Sequence, residues 1–351
     1  MWPAPLSRYS PIGVELTADG VRLAQLARTP QGWRLQAAAA ARAGNGEARE
    51  SAALIRALLA SQPFKGRRVV AALADRLLDA VPLRLALEAG QDVEAALLKE
   101  VAGYLPYHLG EAVIDYCVFE DKRAEGGSLK TLVFAARREQ VDAHLAVLEA
   151  ARLRPVALDA SPFALQRLVA RQAAAAPRVL LVSLGSLDST LAVLWDGLVF
   201  LQRVVPWGIE SMAAAFVQGL GLRPELARKT LSRFDFSPGA AQGGQERAGQ
   251  ETIAQVGSAE LARLVTEIER VLVYCASEMR GAVIDQIVLA GQCQAIRGLG
   301  GFLERTLGIA ARLIEPFEGL EGRPEALPAA LAGREAMLAV ACGLAWRGEE
   351  P

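Results

Sequence analysis

The chain has 351 residues, 52% hydrophobic and 22% charged, with 38 basic against 39 acidic side chains. That length allows two domains with separate cores, and that composition excludes a disordered or fibrous chain. A formal net charge of -1 speaks against nucleic acid as a partner, because such binding normally needs a basic surplus.

Ile12–Leu16 and Val21–Leu26 read as strands joined through Thr17-Ala18-Asp19-Gly20, and Trp33–Ala39 completes a meander. Ala37–Ala41 reads as strand end and loop, Gly44-Asn45-Gly46 as a loop, and Glu50–Leu59 carries helical spacing. Arg68–Leu73 is a short buried strand. From Val81 the character shifts. Asp92–Tyr104 is an amphipathic helix with Val93, Ala96, Leu97 and Val101 on one side, stopped by Leu105-Pro106. Strands at Ile114–Phe119 and Lys130–Ala136 flank a polar loop, Glu120–Ser128, and Glu139–Arg152 is a helix. The region reads as a small α+β insertion. Pro155–Leu158 returns to strand, and Ser161-Pro162 opens a helix to Arg171, with Ser at the N-cap and Pro at N1. Residues 172–177 form a bridge between domains.

The stretch from Arg178 to Gly208 organises the second half of the chain. A near-continuous apolar run breaks at Gly185-Ser186-Leu187-Asp188-Ser189-Thr190, resumes, turns at Trp195-Asp196-Gly197, and returns over Leu198–Val205. A small-residue turn between buried strands offers backbone N–H groups that suit a phosphate, although an ordinary sheet turn has the same composition. Helical segments come next at Glu210–Gly219 and Pro224–Phe234. Ser237–Gln255, rich in Gly, Gln and Ala, reads as a loop. Leu261–Met279 is a long helix, Ile284–Leu289 a buried strand, Gly291-Gln292-Cys293 a turn, Ile296–Leu307 a helix and Arg334–Trp346 a closing helix. Gly298-Leu299-Gly300-Gly301 falls inside that helical pattern and lacks the spacing of a dinucleotide loop. Two similar meanders point to a duplicated α/β core.

Set in order, these pieces resemble the PilM family of type IV pilus assembly proteins, which have an actin-like ATPase fold. Gly13-Val14-Glu15-Leu16, Tyr104-Leu105-Pro106-Tyr107 with Asp115-Tyr116, Val133–Arg137, Pro155–Asp159, Ile287–Gly291 and Ala339–Ala345 carry the likeness. It implies a duplicated, RNase H-like architecture of two domains. The first core would span 1–80 and 153–176, a docking insertion 81–152, the second core 177–206 and 284–351, and a helical subdomain 207–283. It also implies an ATP and Mg²⁺ site at Glu15, Thr17, Arg22, Ser183, Gly185, Thr190, Gly208, Glu225, Lys229, Gly291 and Gln292. Three motifs depart from the family pattern. Glu15, Thr17 and Ala18 replace an Asp and glycines, Ser183 replaces a carboxylate, and Gln292-Cys293 interrupts a glycine run. Ser183 loses a charge that helps to hold Mg²⁺ or its waters, and Gln292 fills space and resists positive φ. Nucleotide binding is therefore expected to be weak or lost, and no residue is assigned as catalytic.

The resemblance further implies a cytoplasmic adaptor at the inner face of the inner membrane, capturing the N-terminal tail of a bitopic PilN-like protein and serving with other pilus-assembly proteins. Val93, Leu97, Val101, Tyr104 and Tyr107 are the candidate partner-binding residues, in a groove beside the first core domain. An active ATPase or kinase of the same superfamily, and a membrane-bound polymer of the FtsA type, are the alternatives. His108 and His144, the two histidines, do not make a metal site, and the dispersed Cys117, Cys275, Cys293 and Cys342 suggest neither zinc nor disulfides. The start lacks the pattern of a secretory signal, and no long uncharged apolar run occurs, so direct membrane insertion is not expected.

Overall fold

The structure, a computed structural model, describes residues 8–43, 48–87, 91–121, 128–172, 176–237, 246–279, 281–321 and 327–347. The loops read at 44–46 and, in part, at 120–128 and 172–177 lie outside the described residues.

Two five-stranded sheets share one strand plan. In the first, β1 (Ile12–Thr17), β2 (Gly20–Arg28) and β3 (Trp33–Arg42) are antiparallel, while β4 (Arg68–Ala72) and β8 (Arg154–Asp159) continue parallel from β1. The order is β3-β2-β1-β4-β8. The second repeats it as β11-β10-β9-β12-β13, from β9 (Arg178–Leu184), β10 (Ser189–Trp195), β11 (Leu198–Val205), β12 (Gln286–Gly291) and β13 (Ala310–Leu313). The duplication inferred from the meanders is therefore a duplication of the whole sheet. Asp196 and Gly197, at φ 48° and 80°, make a hairpin turn that matches the strand twist between β10 and β11.

The insertion forms a third sheet, β5-β7-β6, from β5 (Asp79–Leu85), β6 (Ala112–Asp121) and β7 (Leu129–Arg137). Its own small core seats Leu97 and Val101 of α2 (Val93–Val101) against Leu83, Leu85, Leu129 and Val133.

Helices α1 (Ala48–Ser61) and α3 (Arg138–Ala150) cover one face of the first sheet. Its other face takes the closing α9 (Ala339–Ala345), and α4 (Ser161–Val169) packs on that helix and on β11. The closing helix, grouped by sequence with the second half, therefore lies chiefly on the first sheet. A Cβ added at Gly13 of β1 would sit 1.9 Å from Ala341 O. Gly13 thus lets α9 reach the strand. Trp346 beyond α9 meets Trp33 of β3, with ring centroids 5.4 Å apart.

Helices α5 (Ile209–Leu220), α6 (Pro224–Arg233), α7 (Glu246–Glu278) and α8 (Leu299–Leu307) belong to the second half. Five local readings need correction. Residues from Glu246 of the supposed loop 237–255 are the first part of α7, whose Gly257 packs against Phe236 and whose Val256 packs against Gly219. Glu246, Arg247, Ala248, Gln250, Glu251, Ala254 and Gln255 themselves favour helix, and the packing at Val256 and Gly257 holds it in place. Ala37–Ala41 lie wholly within β3, held by the ladder to β2. Gly298, at φ +76°, is the N-cap of α8, so that helix starts at Leu299, and Glu335–Leu338 is a 3₁₀ turn before α9. Ser161 does not cap α4. Ala160 is the N-cap, and the Ser161 hydroxyl donates to Asp75.

His144 on α3 is buried, and burial lowers its imidazole from 6.5 to about 4. The unfolded chain therefore takes up a proton first as pH falls. The His144 contribution is full above about pH 6.5 and is lost on the way down to about 4. Between pH 7 and 4.5 the unfolding free energy should drop by about 2 kcal/mol more in the parent than in His144→Leu, read by urea titration. Parallel profiles for the two would contradict this.

Candidate functional site

Two concave regions gather the polar chemistry. The first is the cleft between the two large sheets, lined by Glu15, Thr17 and Arg22, Leu73–Arg76, Ser161, Ser183–Ser186, Asp188, Thr190 and Gly291. Its cavity measures about 70 Å³. Arg22, 4% exposed, places Nη1 3.2 Å from Glu15 Oε1 and Nη2 3.4 Å from Asp19 Oδ1. Thr17 Oγ1 donates to Asp19 Oδ1 at 2.8 Å. Asp75, just past β4, accepts from Thr190 Oγ1 of the second sheet at 2.6 Å and from the Ser161 hydroxyl. Gln292 Nε2 reaches across to Asp19 Oδ2 at 3.0 Å. Burial raises the carboxyls of both Glu15 and Asp75. Arg22 partly offsets that for Glu15, and the hydroxyl donors do so for Asp75. Glu15 Oε2 and Asp75 Oδ1 have no protein partner among the described residues.

The glycine turn is tied to its own chain through one N–H and two carbonyls. Gly185 N–H donates to Asp188 O at 3.0 Å, and the first N–H groups of α5, from Ile209 and Glu210, donate to Gly185 O and Ser186 O at 3.0 and 2.9 Å. A Cβ at Gly208 would sit 2.3 Å from Ser186 O, so this glycine lets α5 meet the turn. At the adenosine-motif turn, Gly291 carries the positive φ, +73°, whereas Gln292 sits at −87°. The expected backbone conflict at Gln292 does not arise, and its side chain acts by reaching Asp19.

Of the residues read as nucleotide-binding, Glu15, Thr17, Arg22, Ser183, Gly185, Thr190 and Gly291 converge on the cleft. Gly208 and Gln292 border it, while Glu225 and Lys229 are exposed on α6, away from its lining. Asp75 carried no motif; a carboxylate ending a buried strand at Ala71-Ala72-Leu73-Ala74-Asp75 was the available signal. The cleft is narrow in this form. Small-molecule pockets occupy about 300–1,000 Å³, Arg22 is already paired, and no lysine is among the described lining residues.

The second region is a groove of about 590 Å³ between the inserted sheet and the first core. One wall is a face of β6 and β7, with Val113, Asp115, Cys117, Phe134 and Ala136. The other comes from β8 and α4, with Leu158, Asp159, Ala160, Phe163 and Arg167, closed by Leu73, Leu78, Val141 and Arg347. Strands β6 and β8 each end their sheet. Phe134 and Phe163 meet in the groove at 5.1 Å between centroids. Buried Asp159 is held by Arg167 at 2.8 Å and Arg347 at 3.0 Å.

None of the five residues read as partner-binding lines this groove. Leu97 and Val101 are core of the insertion, and Val93 packs against that core. Tyr104 is 59% exposed elsewhere. The Tyr107 hydroxyl donates to Asp79 Oδ2 at 2.7 Å, and Arg137 stacks 4.4 Å from its ring centroid. Tyr107→Phe should therefore cost about 1 kcal/mol of stability and leave groove affinity unchanged. Thermal melting beside peptide titration separates the two, and a loss of affinity without a loss of stability would refute it.

A family model described as type IV pilus assembly protein PilM matches residues 13–349. The chain belongs to the PilM family. A solved chain from a PilM-PilN type IV pilus biogenesis complex is 25% identical, with a TM-score of 0.80 over 98% of this chain and 100% of that one. The ethanolamine utilization protein EutJ from Carboxydothermus hydrogenoformans is 15% identical, with a TM-score of 0.53 over 99% of this chain and 91% of that one. MreB5 of Spiroplasma citri, solved with AMPPNP, is 9% identical, with a TM-score of 0.54 over 97% and 95%. The last two establish the shared actin-like fold. In this PilM-family chain both the cleft and the groove lie inside the matched span. Among the described residues no helix is long and apolar enough to cross a membrane, and no group of three or more His, Cys, Asp or Glu could hold a metal.

Proposed function

We propose that this PilM-family chain is an adaptor of type IV pilus assembly that receives the N-terminal cytoplasmic tail of a bitopic, PilN-like protein. Residues 81–152 form its docking subdomain. The groove carries this reading, because a half-apolar channel between two sheet edges suits an extended segment. A similar chain solved in a PilM-PilN complex supports the choice of partner. The adaptor then sits at the inner face of the membrane through that partner. Calorimetry of the chain with a synthetic tail of its PilN-like protein should show saturable one-to-one binding, and no heat at millimolar peptide overturns the reading.

In the same reading the cleft holds Mg²⁺-ATP weakly or not at all, supported by its small cavity and by Arg22 being engaged with Glu15 and Asp19. A micromolar dissociation constant for Mg²⁺-ATP would contradict it.

A further inference from the structure

The narrow cleft has a structural counterpart. Among the described residues, two side-chain hydrogen bonds cross the cleft from the second half to the first: Thr190 Oγ1 to Asp75 Oδ2 at 2.6 Å, and Gln292 Nε2 to Asp19 Oδ2 at 3.0 Å. Both acceptors are carboxylates, so both bonds are charge-assisted and strengthened by burial. Asp19 is fixed in turn by Thr17 and Arg22, and Asp75 by Ser161. These are anchored links rather than mobile surface contacts.

Asp75 also stands in the wall that separates the cleft from the groove. Leu73 lines both spaces, and Leu78 beyond Asp75 lines the groove. Ser161, bonded to Asp75, opens α4, which presents Phe163 to the groove. Leu73 N–H donates to Asp159 O at 3.1 Å, joining the same wall to β8.

We infer that Thr190–Asp75 and Gln292–Asp19 form a lock that fastens the two halves with the chain's own side chains and, through Asp75, holds the partner groove in its binding shape. The second part rests on the proposed groove occupant. The first part stands without it.

The test uses Thr190→Val, which removes the hydroxyl at nearly constant volume, and Gln292→Ala on a partly buried turn. Neither residue lines the groove. Thr190→Ser, which keeps the donor, is the rescue control. Spin labels at exposed Ala57 on α1 and Glu304 on α8, in a Cys117→Ser background, read the separation of the halves; the other three cysteines are buried. The lock predicts a narrow distance distribution for the parent and Thr190→Ser, and a longer, broader one for Thr190→Val and Gln292→Ala. In the unlabelled chain, affinity for the tail peptide should fall roughly tenfold in both lock variants, the scale of one lost bond to a charged group. Unchanged distances in both variants overturn the lock, and longer distances with unchanged affinity overturn its hold on the groove. If Thr190→Val fails to fold, Gln292→Ala decides alone. Absence of tail binding by the parent sinks the partner reading instead, and the distances still decide the lock.

Discussion

Gly343→Ala should destabilise the chain by about 3 kcal/mol, at the upper end of what overpacking a tight contact costs. A Cβ at Gly343 would lie 2.0 Å from Ala164 O and 2.4 Å from Ala164 C. Both atoms are backbone of α4, so no side chain can rotate away. Retreat is also blocked, because Ala341 O of the same helix already meets β1 at Gly13. The added methyl group must therefore part α4 from α9 or distort a helix end, opening the core shared by the two halves. Gly301→Ala is the control. It lies within α8, where a Cβ would meet only the flexible side-chain tip of Arg305 from the same helix, at 3.1 Å, so gained helix propensity should offset any crowding. Urea unfolding of the two variants beside the parent measures the difference. Equal stability of Gly343→Ala and Gly301→Ala would show that the α4–α9 contact tolerates a side chain.

Val113→Asp should abolish most of the tail affinity while leaving the fold intact. Val113 sits on edge strand β6, is 37% exposed, and lies outside the core clusters, so a carboxylate there remains solvated in the free chain. Once an extended segment covers the groove, that charge loses its water beside Ala136, its cross-strand neighbour. A loss of about 2 kcal/mol, roughly thirtyfold in dissociation constant, is expected for a central position. Tyr104→Ala, off the groove, should bind like the parent. If Val113→Asp also binds like the parent, the partner does not occupy this groove.

The strand plan was largely legible in sequence, because strands buried on both faces carry continuous apolar runs. Val179–Leu184 and Gln286–Gly291 show this, and both occupy the middle of the second sheet. Edge strands were harder to read. Strand β13 is four residues long, and Pro82 hides β5 by a residue type that central strands exclude. The first part of α7 reads as loop because it continues the Gly-, Gln- and Ala-rich composition that begins at Ser237. Gly257, just beyond that part, takes the Phe236 ring, where a Cβ would lie 2.5 Å from it, whereas Gly249 has nothing within 4 Å.

The sites divide in the same way. Residues of the phosphate-type turns are close in sequence, and most of the residues that the resemblance pointed to line the cleft. The groove joins Leu73, Val113, Phe163 and Arg347, which share no spacing and meet only where two sheet edges approach. The helical pattern of Val93, Leu97 and Val101 shows an apolar face but not what covers it, and the insertion's own sheet covers most of it. Sequence by itself therefore determined the duplicated α/β plan, the inserted α+β unit and the family, because these derive from periodicity and from motifs carried along the chain. Only the tertiary structure decided that Thr190 and Gln292 reach carboxylates across the cleft, and that Val113 rather than Leu97 faces the groove. Those outcomes depend on distances between segments far apart in sequence, which no local pattern encodes.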